Sequence, residues 1–358
     1  MQKKLIAIAI AIAAALVPAA AMADTGNVVV YGIMHLSYDR FDNDAATNNT
    51  ASYVSNNSSR LGFKGSEDMG DGLKTVWQIE AGVAADGETT QGALNSVRDT
   101  YVGLSGSFGT VTAGRQSWFN LLKHDGSLFA DQIGNPGIWL DKGGRINNSI
   151  KYATPNMNGF DASITYGTPG SITSTGGSGT EGADDNFDSS YALKASYKNG
   201  PMYASLTHLN QAHATANTNP DQKATSIGGS YDFGVGKVLA QYVKFSDAAN
   251  VTGVDYNVST IGGSYNVTGK SKIKAQYTRA GDGINSATST DDGANMIALG
   301  YDYSLSKRTI AYVAYARASN DTNSNDYSVG GKGHDANLAV TSTGKDPSAF
   351  SVGMIHNF

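Results

Sequence analysis

Tyr191-Ala192-Leu193-Lys194-Ala195-Ser196-Tyr197-Lys198 decides the fold of this chain. Successive side chains of an extended strand point to opposite sides, so Tyr191, Leu193, Ala195 and Tyr197 form an apolar face while Ala192, Lys194, Ser196 and Lys198 form a polar one. The same period recurs in Ile227, Gly229, Tyr231 and Phe233 against Ser226, Gly228, Ser230 and Asp232. Ile273, Ala275 and Tyr277 likewise alternate with Lys272, Lys274 and Gln276. The pattern reaches the last residue, where Phe350, Val352, Met354, His356 and Phe358 alternate with Ser351, Gly353, Ile355 and Asn357. Met202 to Leu209 and Thr309 to Ala316 have ambiguous parity and are assigned no face.

Sixteen segments of this kind lie between turn signals from residue 27 onward, including 51–66, 97–106 and 109–116. Their connectors alternate in length. Gaps such as 107–108, 199–200 and 234–236 are tight, whereas 42–50, 86–96, 117–145, 168–187 and 319–346 are long and polar. Alternating short and long connectors describe an up-and-down meander. Greek-key sandwiches do not sort their connectors this way, and no fixed repeat period marks a solenoid.

Composition narrows the class. The 358 residues include 43 Gly, 19 Tyr and no Cys, and only 16% are charged, against about 25% in ordinary soluble domains. The absence of Cys excludes disulfide scaffolds and zinc–thiolate sites. Mean hydropathy is −0.28, and the one long apolar run is Leu5 to Val17, too short to be a spanning helix. Lys3 and Lys4 precede that run and Ala21-Met22-Ala23 follows it, which is the layout of a cleaved signal peptide over residues 1–23. Residues 24–358 are then the exported protein. The whole chain carries a net charge of −5 before the two leader lysines are removed, so nucleic acid is not an expected partner.

Sixteen amphipathic strands need an apolar layer to cover one face. Lipid supplies it if the sheet closes into a transmembrane barrel, with the polar parity lining water inside. Arg60 sits between Ser58 and Gly62 on the parity opposite Leu61 and Phe63, Gln78 and Glu80 interleave with Trp77 and Ile79, and Lys151 lies between Ile150 and Tyr152. A soluble sandwich could carry such charges outward, but the even strand number and the export signal favour the barrel. Closure leaves no edge facing hydrocarbon, and sixteen strands are too many for side chains to fill the interior. Tyr38, Tyr101, Tyr166, Tyr191, Tyr242 and Tyr303 stand near strand ends, as interfacial girdles or through ordinary strand propensity.

Several stretches resemble the Gram-negative general porins, especially the proteobacterial subfamily typified by neisserial and burkholderial members. They are Ser59-Arg60-Leu61-Gly62-Phe63-Lys64-Gly65-Ser66-Glu67-Asp68, Thr100-Tyr101-Val102-Gly103-Leu104-Ser105-Gly106, Gly109 to Gln116, Arg145 to Tyr152, Leu305 to Thr309 and the terminal Phe358. The resemblance implies a sixteen-stranded antiparallel outer-membrane barrel, assembled as a homotrimer among lipid and lipopolysaccharide, with the third long loop (117–145) folded inward to constrict the pore. It implies passage of ions and small hydrophilic solutes, and it implies Phe358 as the signal read by the barrel-assembly machinery. It also assigns Arg60, Arg115 and Arg145 to a basic constriction cluster. Lys64 and Lys151 share the polar parity of Arg60 and are expected on the same wall, with Glu80.

Carboxylates on the third loop should oppose this cluster. Loop position names Asp125 and Asp131, with Asp141 a further candidate; the Pro-Glu-Phe-Gly-Gly run of enterobacterial members is absent. Leu121, Leu122, Leu128, Phe129, Ile133, Ile138, Trp139 and Leu140 are too apolar for a free loop and should pin it to the inner wall, with a short helix within 119–130. Trp139 could instead stack a sugar and make the channel solute-specific. An adhesin or structural barrel acting through its external loops is the rival from another class.

No enzymatic constellation emerges. The six histidines have no ligand spacing, Gly234-Val235-Gly236-Lys237 lacks the spacing of a phosphate loop, and no Gly-x-Ser-x-Gly elbow occurs. No cofactor is expected, although the acidic loops Glu181 to Asp188 and Asp282 to Asp292 have the oxygen density for Ca²⁺.

Overall fold

The computed structural model describes residues 28–45, 50–87, 93–119, 127–140, 144–168, 190–211, 220–248, 251–285, 288–330 and 342–358. The expected signal peptide and the acidic loop Glu181 to Asp188 lie outside them. Sixteen barrel strands form: β1 (Val29–Asp42), β2 (Thr50–Asn56 and Arg60–Gly70), β3 (Leu73–Val83), β4 (Leu94–Val97 and Thr100–Gly106), β5 (Gly109–Phe119) and β6 (Gly144–Ala153). They continue as β7 (Phe160–Gly167), β8 (Ser190–Asn199), β9 (Met202–Gln211), β10 (Gln222–Asp232) and β11 (Gly236–Ser246). The last five are β12 (Tyr256–Asn266), β13 (Ser271–Ala280), β14 (Ala294–Ser304), β15 (Thr309–Asn320) and β16 (Ser348–Asn357).

Every strand pairs antiparallel with its sequence neighbours, and β16 pairs with β1 from Ile33↔Asn357 to Asp42↔Ser348, so the sheet closes without an edge. Phe358 completes the seam by exchanging backbone hydrogen bonds with Gly32 at 3.0 and 3.1 Å. Its ring covers Gly32 so closely that a Cβ there would sit 2.3 Å from Phe358 Cζ.

The exposure pattern is inverted relative to a soluble protein. Ile227 and Ile261 are each 61% exposed, whereas Gln276 and Lys274 are 4% and 6% exposed. Outward parity carries Val, Ile, Leu and Tyr from strand to strand, which only a hydrocarbon surround makes favourable. Tyr38, Tyr166, Tyr242 and Tyr303 are on this outer face. Tyr101 is not: its hydroxyl donates to Gln78 Oε1 inside the barrel at 3.3 Å, so strand propensity and not the girdle explains it.

Two strands expected to be continuous are broken. β2 is interrupted at Asn57–Ser59, where Ser58 has a φ of 58°, and β4 at Arg98–Asp99. Neither break orphans the backbone, as burial would otherwise penalise. Asn57 N donates to His35 O at 2.8 Å, Ser59 Oγ accepts from His35 N at 3.0 Å, and Arg98 N donates to Glu80 O at 2.9 Å. A register shift between β5 and β6 near Gly114 and Gln116 adds a third irregularity. Such defects re-aim side chains.

The third loop folds against the inner wall. Phe129 and Ile133 are fully buried, and Gly134 faces Ala298 and Ala316, whose Cβ atoms would lie 2.5 and 3.0 Å from an added Cβ. The loop backbone is tied down by Leu128 N to Gln276 Oε1 (2.8 Å) and Gly134 N to Val329 O (2.9 Å). Lys274 Nζ, itself paired with Asp302 at 2.9 Å, donates to Gln132 Oε1 at 2.7 Å and lies 4.7 Å from the Phe129 ring centre. The wall beneath is apolar at Met296, Ala298, Ala314 and Ala316. That is why β15 showed no parity: its inner face meets the loop and its outer face meets lipid. A helical turn forms at Gly137–Leu140; of the stretch 119–130, where a short helix is expected, residues 120–126 lie outside the described residues.

Candidate pore constriction

The three backbone irregularities converge on one belt of the lumen. There a cavity of about 1120 Å³ opens between the loop and the wall of β1 to β6, lined among others by Arg60, Arg98, Arg145, Glu80, Asp99 and Asp131. Arg60 opens the second segment of β2 directly after the break. Its guanidinium is held by Ser58 O at 3.2 Å and faces Asp131 Oδ2, on the loop, at 3.6 Å. A wall arginine thus meets a loop carboxylate across the lumen.

Around it the wall carries a tighter network. Arg98 Nε contacts Glu80 Oε1 at 2.5 Å, Arg145 Nε contacts Asp99 Oδ1 at 2.6 Å, and Arg145 Nη2 lies 3.8 Å from Glu80 Oε1. Tyr31 donates its hydroxyl to Glu80 Oε2 at 2.8 Å, and Asp99 also accepts from Ser117 N and Oγ. Two carboxylates therefore hold two guanidinium groups in fixed positions, as charge-assisted hydrogen bonds do. Lys64 and Lys151 line the same cavity, Lys64 above the Tyr31 ring at 5.0 Å and Lys151 within 3.3 Å of Ser117 O.

Arg115 is placed elsewhere. Thr112 and Gln116 turn into the lumen, and Arg115 has the opposite parity; its Nε donates to Val97 O at 2.9 Å and its Nη1 bonds Asn147, filling the break in β4. It does not line the cavity that Arg60 and Arg145 share. Arg98 and Asp99, which the sequence reading missed, do. Inward parity of Tyr101 and Ser105 points to Asp99 in the sequence itself, but Arg98 reaches the lumen only through the strand break. Asp125 and Asp141 lie outside the described residues.

Trp139 has no face to offer a passing sugar. It is 5% exposed, packs edge-on against Tyr327 at 4.7 Å and donates Nε1 to Ser328 O at 3.0 Å. In the acidic loop after β13, Asp292 accepts from Gly283 N (2.7 Å) and Asn285 N (3.2 Å), and Asp282 from Gly293 N (3.0 Å). These carboxylates shape the turn. Among the described residues no group of three or more His, Cys, Asp or Glu is placed to hold a metal ion.

Comparison with known proteins agrees with this architecture. The family model for Gram-negative porins matches residues 9–323. Outer membrane porin protein 32 of Delftia acidovorans is 33% identical over 330 residues, covering 87% of this chain and 88% of that protein. Major outer membrane protein P.IB of Neisseria gonorrhoeae is 28% identical over 347 residues, covering 88% and 92%. Among solved structures, an anion-selective porin from Comamonas acidovorans superposes with a TM-score of 0.74 at 28% identity, covering 93% of this chain and all of that one. A closed barrel with a lipid-compatible exterior, a wet lumen and an inward third loop, matched along nearly its whole length, belongs to the Gram-negative porins and is an outer-membrane channel for passive diffusion.

Proposed function

We propose that the channel prefers anions and that Arg60, Arg98 and Arg145 form its constriction cluster, opposed by Asp131 on the loop. The carrying observation is the charge of the lining: five cations (Arg60, Lys64, Arg98, Arg145, Lys151) against three anions (Glu80, Asp99, Asp131) among the described residues. Exposed charges more than a Debye length away, about 8 Å at physiological salt, are screened, so the acidic total of the chain weighs less than this local excess. Fixed rings of charge set selectivity in pores. Anion selectivity in the Comamonas porin supports the reading.

The arginines perform no chemistry. Their carboxylate partners hold them extended in the lumen, so a permeating anion exchanges part of its hydration for guanidinium contacts without waiting for side chains to reorganise. A homotrimer with one pore per protomer belongs to the same proposal. In planar bilayers, R98Q/R145Q should lower the permeability ratio of chloride to potassium, and each wild-type insertion should give three equal current steps. An unchanged ratio in the double variant rejects the assignment.

A further inference from the structure

The third loop is held on two sides. Phe129 and Ile133 dock on the wall, but the stretch Gly134 to Trp139 packs on the segment that follows β15. Gly134 N donates to Val329 O at 2.9 Å, Trp139 Nε1 donates to Ser328 O at 3.0 Å, and the Trp139 ring meets that of Tyr327 edge-on. Tyr327 and Val329 are fully buried in the same apolar cluster as Trp139 and Ile133.

The other end of that segment is tied to the rim, on the connector between β13 and β14. Asn323 N donates to Asp291 O at 2.8 Å and Asn323 Nδ2 to Thr290 O at 2.9 Å. Asp321 N donates to Gly293 O at 3.0 Å, and Asn285 Nδ2 to Asp326 Oδ2 at 2.9 Å. Exposure follows this division: Asn323, Asn325 and Asp326 face water, whereas Ser324 and Tyr327 are buried. Residues 321–329 are therefore a strap, fixed to the rim at one end and to the third loop at the other.

Asn320, the last residue of β15, sets the shape of the strap. Its buried side chain donates Nδ2 to Tyr327 O at 2.9 Å and to Lys345 O at 2.7 Å, and its Oδ1 accepts from Ser324 Oγ at 3.0 Å and Tyr327 N at 3.3 Å. An amide has two donated hydrogens and two acceptor lone pairs, and here all are spent on joining the strand end, the strap and the returning chain. A carboxylate of the same shape has no donor and cannot reproduce the set.

We infer that Asn320 is a positioning residue of the pore: by fixing the strap it fixes the third loop, and so sets the bore of the constriction from the external rim. The path is contiguous, as coupling between separated sites requires. Asn320 holds Tyr327, and residues 327–329 hold Gly134 and Trp139. The turn over Phe129–Asn135, closed by Gln132 N to Phe129 O at 3.0 Å and Asn135 N to Gln132 O at 3.2 Å, then carries Asp131 to 3.6 Å from Arg60. The inference concerns the width of the pore and holds for either sign of selectivity.

The test uses the full-length channel in planar bilayers, together with Trp139 fluorescence in a W77F/W118F background, which leaves Trp139 as the sole survivor of the three Trp. N320A leaves the buried partners of Asn320 unpaired, so the released strap should become about tenfold more populated. Mean conductance and open-channel noise should rise and Trp139 emission should shift to the red, while the melting temperature of the barrel, which shows that the variants fold, stays unchanged. N320D, alike in shape but without donors, should behave as N320A does. N285A/N323A, which touches neither the third loop nor the lining, should act in the same direction by about threefold. Wild-type conductance, noise and emission in N320A overturn the inference, as does an N320D channel that matches wild type. A silent N285A/N323A overturns the hold from the rim.

Discussion

Replacing Phe129 with Ala should loosen the third loop without unfolding the barrel. Phe129 is fully buried in a notch opposite Gly300, where an added Cβ would lie 2.9 Å from Phe129 Cε1 and 2.6 Å from Lys274 Cε. Truncating a fully buried Phe costs about 3–5 kcal/mol, because the lost transfer energy is joined by a cavity that close neighbours cannot fill. Lys274 also loses the ring 4.7 Å away, though Asp302 and Gln132 still hold its ammonium. The strand hydrogen bonds are untouched, so the cost falls on the docked loop. At about 1.4 kcal/mol per decade, the undocked population should rise a hundredfold or more. Ile133 and Trp139 remain as anchors, so the loop should fluctuate rather than leave. Single-channel recordings should then show added open-channel noise and a larger mean conductance, with the melting temperature of the barrel nearly unchanged. Wild-type conductance, noise and selectivity in F129A would refute the claim that this side chain pins the constriction.

Other substitutions separate the roles of neighbouring residues. R115Q should leave the reversal potential close to wild type, because Arg115 caps the break in β4 from outside the lining, whereas R145Q should move it; a bilayer comparison of the two decides. E80Q removes one of three lining anions and the 2.5 Å partner of Arg98, so the reversal potential should shift further toward the chloride limit. Tyr327 is buried with its hydroxyl unpartnered among the described residues, a state that costs about 1–3 kcal/mol, so Y327F should be neutral or stabilising in thermal unfolding.

The wall of this molecule was open to a reading from sequence because lipid and water impose opposite demands on alternate residues. Where both demands hold, as over Tyr191–Lys198 and Ile273–Tyr277, parity alone locates each face. It fails where the inner face is dry. Met296, Ala298, Ala314 and Ala316 pack under the third loop, so apolar residues occupy both sides and the period-two signal vanishes. It fails again where a strand breaks. Arg98 and Asp99 interrupt β4, and the break depends on Glu80 O, Ser117 and Arg115, which are distant in sequence. Arg60 and Arg145 were legible through the resemblance, Arg60 also through its parity. Arg115 differs because it has the parity opposite Thr112 and Gln116 on β5, which turns it to Val97 O at the break in β4 and away from the cavity.

The most direct measurement is the zero-current potential of the wild-type channel in a planar bilayer under a tenfold KCl gradient, where an ideally selective pore gives about 59 mV. An excess of cations at the lining predicts the sign set by chloride, with R60Q/R98Q/R145Q moving the value toward zero or beyond it. A wild-type potential of the sign set by potassium would contradict the account.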